Sequence, residues 1–202
     1  MKKSWQMVSK LIAFMAVCAA LYGQDLKPAI DNERVTVWDV TWAKGTINPA
    51  PPDRDAVVMW LTGPHARTAN FLAKGSARKE HGRIGARSLI IELKDHPVPP
   101  LENKTGYPLA FPRPHVKKLL ENDRVIVWSY RWNPGEPTPM HFHDKDVVVV
   151  YLEDTALTST KPDGSKTLNE YKAFDIRFNK GDRVHTEQLA RGTGSAMMME
   201  LK

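Results

Sequence analysis

Asn122-Asp123-Arg124-Val125-Ile126-Val127-Trp128-Ser129-Tyr130-Arg131-Trp132 repeats Asn32-Glu33-Arg34-Val35-Thr36-Val37-Trp38-Asp39-Val40-Thr41-Trp42 at a distance of ninety positions, with six of eleven residues identical. Self-similarity at a fixed separation marks a duplicated unit. The order of features around the repeat extends the match. Each copy continues with a glycine (Gly45, Gly135), a Pro-rich turn, an acid-rich corner (Asp53-Arg54-Asp55, Asp144-Lys145-Asp146) and an apolar run (Val57 to Leu61, Val147 to Leu152). Each also closes alike, with Ser88-Leu89-Ile90-Ile91-Glu92-Leu93-Lys94 in the first copy and Ser195-Ala196-Met197-Met198-Met199-Glu200-Leu201-Lys202 in the second. Chance similarity between two strands would not preserve that order.

Short runs rich in Val, Ile, Thr, Trp and Tyr, punctuated by glycine and proline, predict an all-β chain folded as a sandwich or barrel. The clearest hairpin joins Thr155 to Lys161 with Ser165 to Glu170 through Pro162-Asp163-Gly164. The one helix-like piece is Pro114 to Glu121, one or two turns before the second copy. Met197-Met198-Met199 invites a copper reading, but consecutive strand residues face opposite ways, so core packing is expected. Between the copies, the Pro-rich stretch 97–115 reads as an extended connector draped over the surface, with His96 and His115 in solvent. The expected organisation is a first β-domain over 24–96, the connector over 97–115 and a second β-domain over 116–202.

Lys2, Lys3 and Lys10 precede the apolar run Leu11 to Ala20, after which the chain turns polar at Gln24-Asp25. A charged lead, an apolar run too short to span a bilayer and small residues at its exit predict a secretory signal peptide over 1–23, cleaved after Ala20 or Gly23. An uncleaved anchor is the alternative, and a lipid attached at Cys18 is disfavoured by Met15-Ala16-Val17. The expected location is the periplasm or outside the cell. Of 29 basic side chains, the three leader lysines would be lost, leaving 26 against 23 acids and a net charge of +3 instead of +6. The remaining basic residues are interleaved with acids, which excludes nucleic acid as a partner class. Cys18 is the only cysteine, so the mature chain would have no disulfide and would rest on core burial.

The second copy carries the chemistry. Gly135-Glu136-Pro137-Thr138-Pro139-Met140-His141-Phe142-His143 sets two histidines at spacing i, i+2 beside a valine-rich strand, and such residues share one strand face. His185 follows the turn Asn179-Lys180-Gly181-Asp182 at the start of the strand-like run Val184 to Leu189. Three imidazoles converging from two strands suit a divalent transition metal. At the matching place the first copy has Ala50, Pro51 and Pro52, and His65 and His81 read as surface residues. That copy is then a scaffold, or a site for something other than a metal.

Gly135-x5-His141-x-His143 with its valine-rich strand resembles the first motif of the cupin superfamily, and Gly181-Asp182-Arg183-Val184-His185 is similar to the second. The resemblance spans about 116–202, and more weakly the first copy. It implies two small jelly-roll β-barrels, the N-terminal one degenerate. It also implies His141, His143 and His185 as ligands of a divalent Fe, Mn, Ni or Zn ion inside the C-terminal barrel. The family's glutamate follows the second histidine by four or five residues, where this chain has Val147 and Val148. Asp146 lies on the wrong strand parity unless its corner bulges, whereas Glu187 shares the face of His185. Tyr151 shares parity with His141 and His143, and Asp144, Lys145 and Arg183 read as turn and surface residues.

Two function classes stay open. In one, the metal acts on a small organic substrate as in dioxygenases, isomerases, decarboxylases or hydrolases, with Glu187 as the catalytic proton carrier. In the other, the barrel binds a small ligand without chemistry and without a functional metal. A homodimer is also open, although packing of the two copies within one chain would mimic it.

Overall fold

The computed structural model describes residues 26–77 and 82–202; the leader with Cys18, and His81, lie outside the described residues. Fourteen strands, all paired antiparallel, and no helix make up those residues. In the first copy they are β1 (Ile30–Asp31), β2 (Val35–Thr41), β3 (Asp55–Trp60), β4 (Thr68–Leu72) and β5 (Arg87–Leu93). In the second they are β6 (Val116–Glu121), β7 (Val125–Trp132), β8 (His141–His143), β9 (Val147–Tyr151) and β10 (Thr155–Thr160). The chain then continues through β11 (Lys166–Tyr171), β12 (Ile176–Asn179), β13 (Arg183–Gly192) and β14 (Gly194–Leu201).

The duplication is visible in the strand order. The first copy forms a five-stranded sheet, β1-β2-β5-β3-β4, and the second forms one in the matching order, β6-β7-β14-β9-β12. The second copy then adds a four-stranded sheet, β11-β10-β13-β8, which closes it into a jelly-roll barrel. The extra layer is built from insertions between the shared strands. The β10–β11 hairpin, at the residues expected for it, fills the connection between β9 and β12. Among the described residues, the first copy has no strand at the corresponding places; its loops cover that face instead, with Trp42 and Ala50 buried against Val40, Val58 and Ile90.

Strand alternation divides the side chains between two cores. Val35, Val37, Met59 and Ile91 of the first sheet pack against Val127, Val148, Met197 and Met199 of the second in one shared cluster. On the other side of the second sheet, Trp128, Tyr130, Trp132, Val149, Tyr151 and Met198 fill the barrel. Met197 and Met199 therefore serve the shared core and Met198 the barrel, all three as packing residues.

Polar contacts repeat across the two halves in reciprocal fashion. Arg34 Nη1 meets Asp146 Oδ2 at 3.0 Å, and Arg124 Nη1, its counterpart, meets Asp55 Oδ2 at 2.9 Å. The other oxygen of each carboxylate accepts a backbone N–H, from Gly181 at 2.9 Å and Lys74 at 2.7 Å. Asn32 and Asn122 each accept two backbone N–H groups at the entry to β2 and β7, which pins the same turn in both copies.

Two expectations are corrected. Pro114 to Glu121 is not helical, because Val116 to Glu121 pairs with β7 as the edge strand β6, with a register shift between Lys118 and Leu120. Its local helix propensity is outweighed by a ladder and by the partly buried Leu119 and Leu120 against the shared core. The connector is also not draped wholly over the surface. Ala110 and Phe111 are buried in the barrel cluster, and residues 108–110 add to the free edge of β8. Phe142 N–H donates to the Pro108 carbonyl and Ala110 N–H donates to that of Phe142, both at 2.8 Å.

Candidate metal centre

The site is set by the pairing of two short strands. β8 runs antiparallel to β13 with His141 opposite His185 and His143 opposite Arg183. Period-2 alternation then places His141, His143, Arg183, His185 and Glu187 on one face, turned into the barrel. Thr138 fixes the approach to β8. Its N–H donates to the Glu187 carbonyl and its hydroxyl accepts from the Glu187 N–H, each at 2.8 Å.

His141, His143 and His185 come together, with one ring nitrogen of each lying within 4.8 Å of the others. Nε2 of His143 is 3.2 Å from Nε2 of His141 and 3.2 Å from Nε2 of His185. His141 Nδ1 lies 2.7 Å from the Pro139 carbonyl, a contact that requires Nδ1 to carry the proton and leaves Nε2 with its lone pair. Burial, with Arg113 next, pushes His141 down to about 4. Burial, followed by the charge of Arg183, also lowers His143, and burial lowers His185. All three rings are neutral near pH 7. Three imidazoles with their Nε2 atoms brought together, and with the Nε2 of His141 left unprotonated, form a donor set that fits a divalent transition metal.

Glu187 stands beside the triad, with Oε1 4.0 Å from His185 Nε2 and Oε2 accepting from the Trp132 indole N–H at 3.2 Å. Burial is the largest influence on its carboxyl and pushes upward, but the charge of His185 when protonated, Arg113, the charge of His141 when protonated and the Trp132 N–H together outweigh it and hold the group below its ordinary range. Tyr151 stacks on Tyr171 and lines the same small cavity, and burial raises its hydroxyl well above the ordinary value.

Several residues stand elsewhere than expected. Asp146 is engaged by Arg34 and Gly181, so its carboxylate is committed to the contact between the copies. Buried Asp144 and half-buried Lys145 form an ion pair at 2.6 Å instead of an exposed turn. Arg183 is half-buried and lines the cavity with His143, His185 and Glu187. His65, His96 and His115 are exposed, as expected. Sequence reasoning missed Arg113 altogether. Its side chain is only 5% exposed, its Nη1 lies 3.1 Å from His141 Nε2 and its guanidinium sits 4.1 Å above the Tyr130 ring. The available signal was the apolar Tyr107, Leu109 and Phe111 within the proline run, a composition unlike a solvated linker.

No family model matches the chain. A curated relative, the β-alanine degradation protein BauB of Pseudomonas aeruginosa, is 39% identical over 62 residues, which is 31% of this chain. The match spans 61% of that relative's length. Among solved structures, the chain is similar to cupin proteins. A cupin domain from Bordetella pertussis Tohama I is 23% identical and covers 46% of this chain and 99% of its own, with a TM-score of 0.39. A cupin 2 conserved barrel domain protein from Leptotrichia buccalis is 10% identical and covers 92% of this chain and 94% of its own, with a TM-score of 0.48.

Proposed function

We propose that the mature chain is an exported, metal-dependent barrel that takes a small organic molecule at His141, His143 and His185. The observation that carries this reading is the convergence of three imidazoles on one point, those of His141 and His143 buried and that of His185 half-buried, two of the gaps being 3.2 Å. Fe, Mn, Ni and Zn all accept such a donor set, and a bound ion would supply Lewis acidity or activate water or oxygen. With three protein ligands, coordination positions remain for water or ligand.

The chain's own residues have distinct tasks in this reading. Pro139 orients the His141 ring through Nδ1. Trp132 holds Oε2 of Glu187, which leaves Oε1 toward the triad as an ionised base able to take a proton from the ligand. Val147, Val149 and Tyr151 form part of the cavity wall. The name of the matched Pseudomonas relative is in keeping with a small-molecule ligand. Val147 and Val148, standing where a ligating carboxylate is expected, favour a second reading in which the barrel binds its ligand without turning it over.

Metal content of gently purified protein is the test. Elemental analysis should find about one ion per chain, as a single three-histidine site requires. His141→Ala or His143→Ala should abolish it while the far-ultraviolet dichroism of the barrel is unchanged. Glu187→Gln should retain the metal; loss of turnover then supports the proton-carrier role, and loss of the metal would make Glu187 a ligand instead. Metal-free wild type, with ligand binding intact in His141→Ala, would leave the histidines as polar lining only.

A further inference from the structure

The buried guanidinium of Arg113 has too few acceptors. Nη1 has the Nε2 lone pair of His141 at 3.1 Å, Nη2 is 3.8 Å from Glu187 Oε2 and beyond hydrogen-bonding distance, and Nε is buried with no partner at all. Its position is enforced from outside the barrel's own strands: residues 108–110 ladder onto β8, and the guanidinium carbon lies 4.8 Å from the Phe111 ring centre and 4.1 Å from that of Tyr130. An arginine left with orphan donors inside a barrel costs free energy unless something supplies oxygens. The shortage deepens once the His141 lone pair is given to a metal, because Nη1 then loses its acceptor as well.

Charge points the same way. Arg183 lines the same cavity, and Glu187 is the one carboxylate among the residues lining it. Two guanidinium groups against one carboxylate leave the wall cationic before any metal is added. The cavity is partly open and about 30 Å³ in volume, room for a small head group.

We infer that Arg113 is a ligand-recognition residue and that the molecule taken by this site is a small carboxylic acid, its carboxylate held by the Arg113 fork. Planar guanidinium matches planar carboxylate through two parallel hydrogen bonds, a geometry that lysine cannot reproduce. The inference rests on the proposed small-molecule site, but not on a metal being present.

The test compares propionate with its neutral counterpart propionamide, by calorimetry on the full mature protein, with metal content measured on the same samples. Wild type should prefer propionate, and Arg113→Met should weaken propionate by about 10- to 100-fold, the usual worth of a charge-assisted pair, while leaving propionamide nearly unchanged. Arg113→Lys, which keeps the charge and fills most of the volume, should fall between the two and covers the case in which the methionine variant does not fold. If both proteins lack metal but the propionate preference is present and lost with Arg113, the metal reading fails and this one stands. Equal binding of acid and amide by wild type, or a preference that survives Arg113→Met, would overturn it. So would metal-free wild type that gains an ion in Arg113→Met, since Arg113 would then be filling the cation position itself.

Discussion

Replacing Asp146 with alanine tests how the two copies are held together. Its partner Arg34 is 5% exposed, whereas the reciprocal partner of Asp55, Arg124, is 32% exposed. Removing Asp146 strands a desolvated guanidinium whose remaining acceptor is the Lys202 carbonyl at 3.4 Å, and it also leaves the Gly181 N–H without its acceptor. Breaking a buried pair from one side costs about 3 kcal/mol. Arg124 keeps the Lys94 carbonyl at 3.0 Å and reaches water, so Asp55→Ala should cost only about 1 kcal/mol, in the range of exposed pairs. For a domain of this size, the Asp146 variant should melt about 6–12 °C lower and the Asp55 variant about 2–4 °C lower. Urea titration followed by tryptophan fluorescence measures both. The double change Arg34→Met with Asp146→Leu should recover most of the loss, because it removes the uncompensated charge. Equal losses for the two single variants, or no recovery in the double one, would refute burial of Arg34 as the source of the difference. Metal content should be untouched in Asp146→Ala, as its carboxylate faces Arg34 and not the triad.

Glu200, hydrogen-bonded by the Trp128 indole at 2.8 Å, has its carboxyl raised from 4.5, chiefly by burial. A raised acid stabilises the fold below its unfolded value and loses that contribution as pH rises through the folded one. Glu200→Gln should therefore be more stable than wild type at pH 7, with the gain shrinking as pH falls toward 4.5; melts at several pH values that show a constant gain would sink the idea. Met199→Ala should cost about 2–5 kcal/mol, because Met199 is fully buried in the core shared by both sheets. Its unfolding should remain a single transition by fluorescence and by dichroism; two separated transitions would mean that the halves do not share one core.

The sequence by itself determined what depends on period and order. Two histidines two apart must share a strand face, and the parallel order of corners and strands in the copies had to produce sheets of matching topology, β1-β2-β5-β3-β4 and β6-β7-β14-β9-β12. The joining of His185 to the pair follows from the same parity once β8 and β13 are neighbours. Val116 to Glu121 was misread because local helix preference is weak beside a ladder with β7, and that ladder exists only when Tyr130 and Trp128 are already in place. Asp144 and Lys145 look like a solvated corner in one dimension, yet the chain around Leu101, whose N–H donates to the Asp144 carbonyl at 2.8 Å, covers them. Arg113 was hidden for the most general reason. It lies 28 residues before His141 in a stretch with no periodicity to read, and only packing of that stretch along the free edge of β8 brings its charge to the imidazoles. Residue spacing reports which side chains share an element's face; which distant segment closes over that face is decided by burial and by unpaired backbone groups, and these exist only in the folded chain.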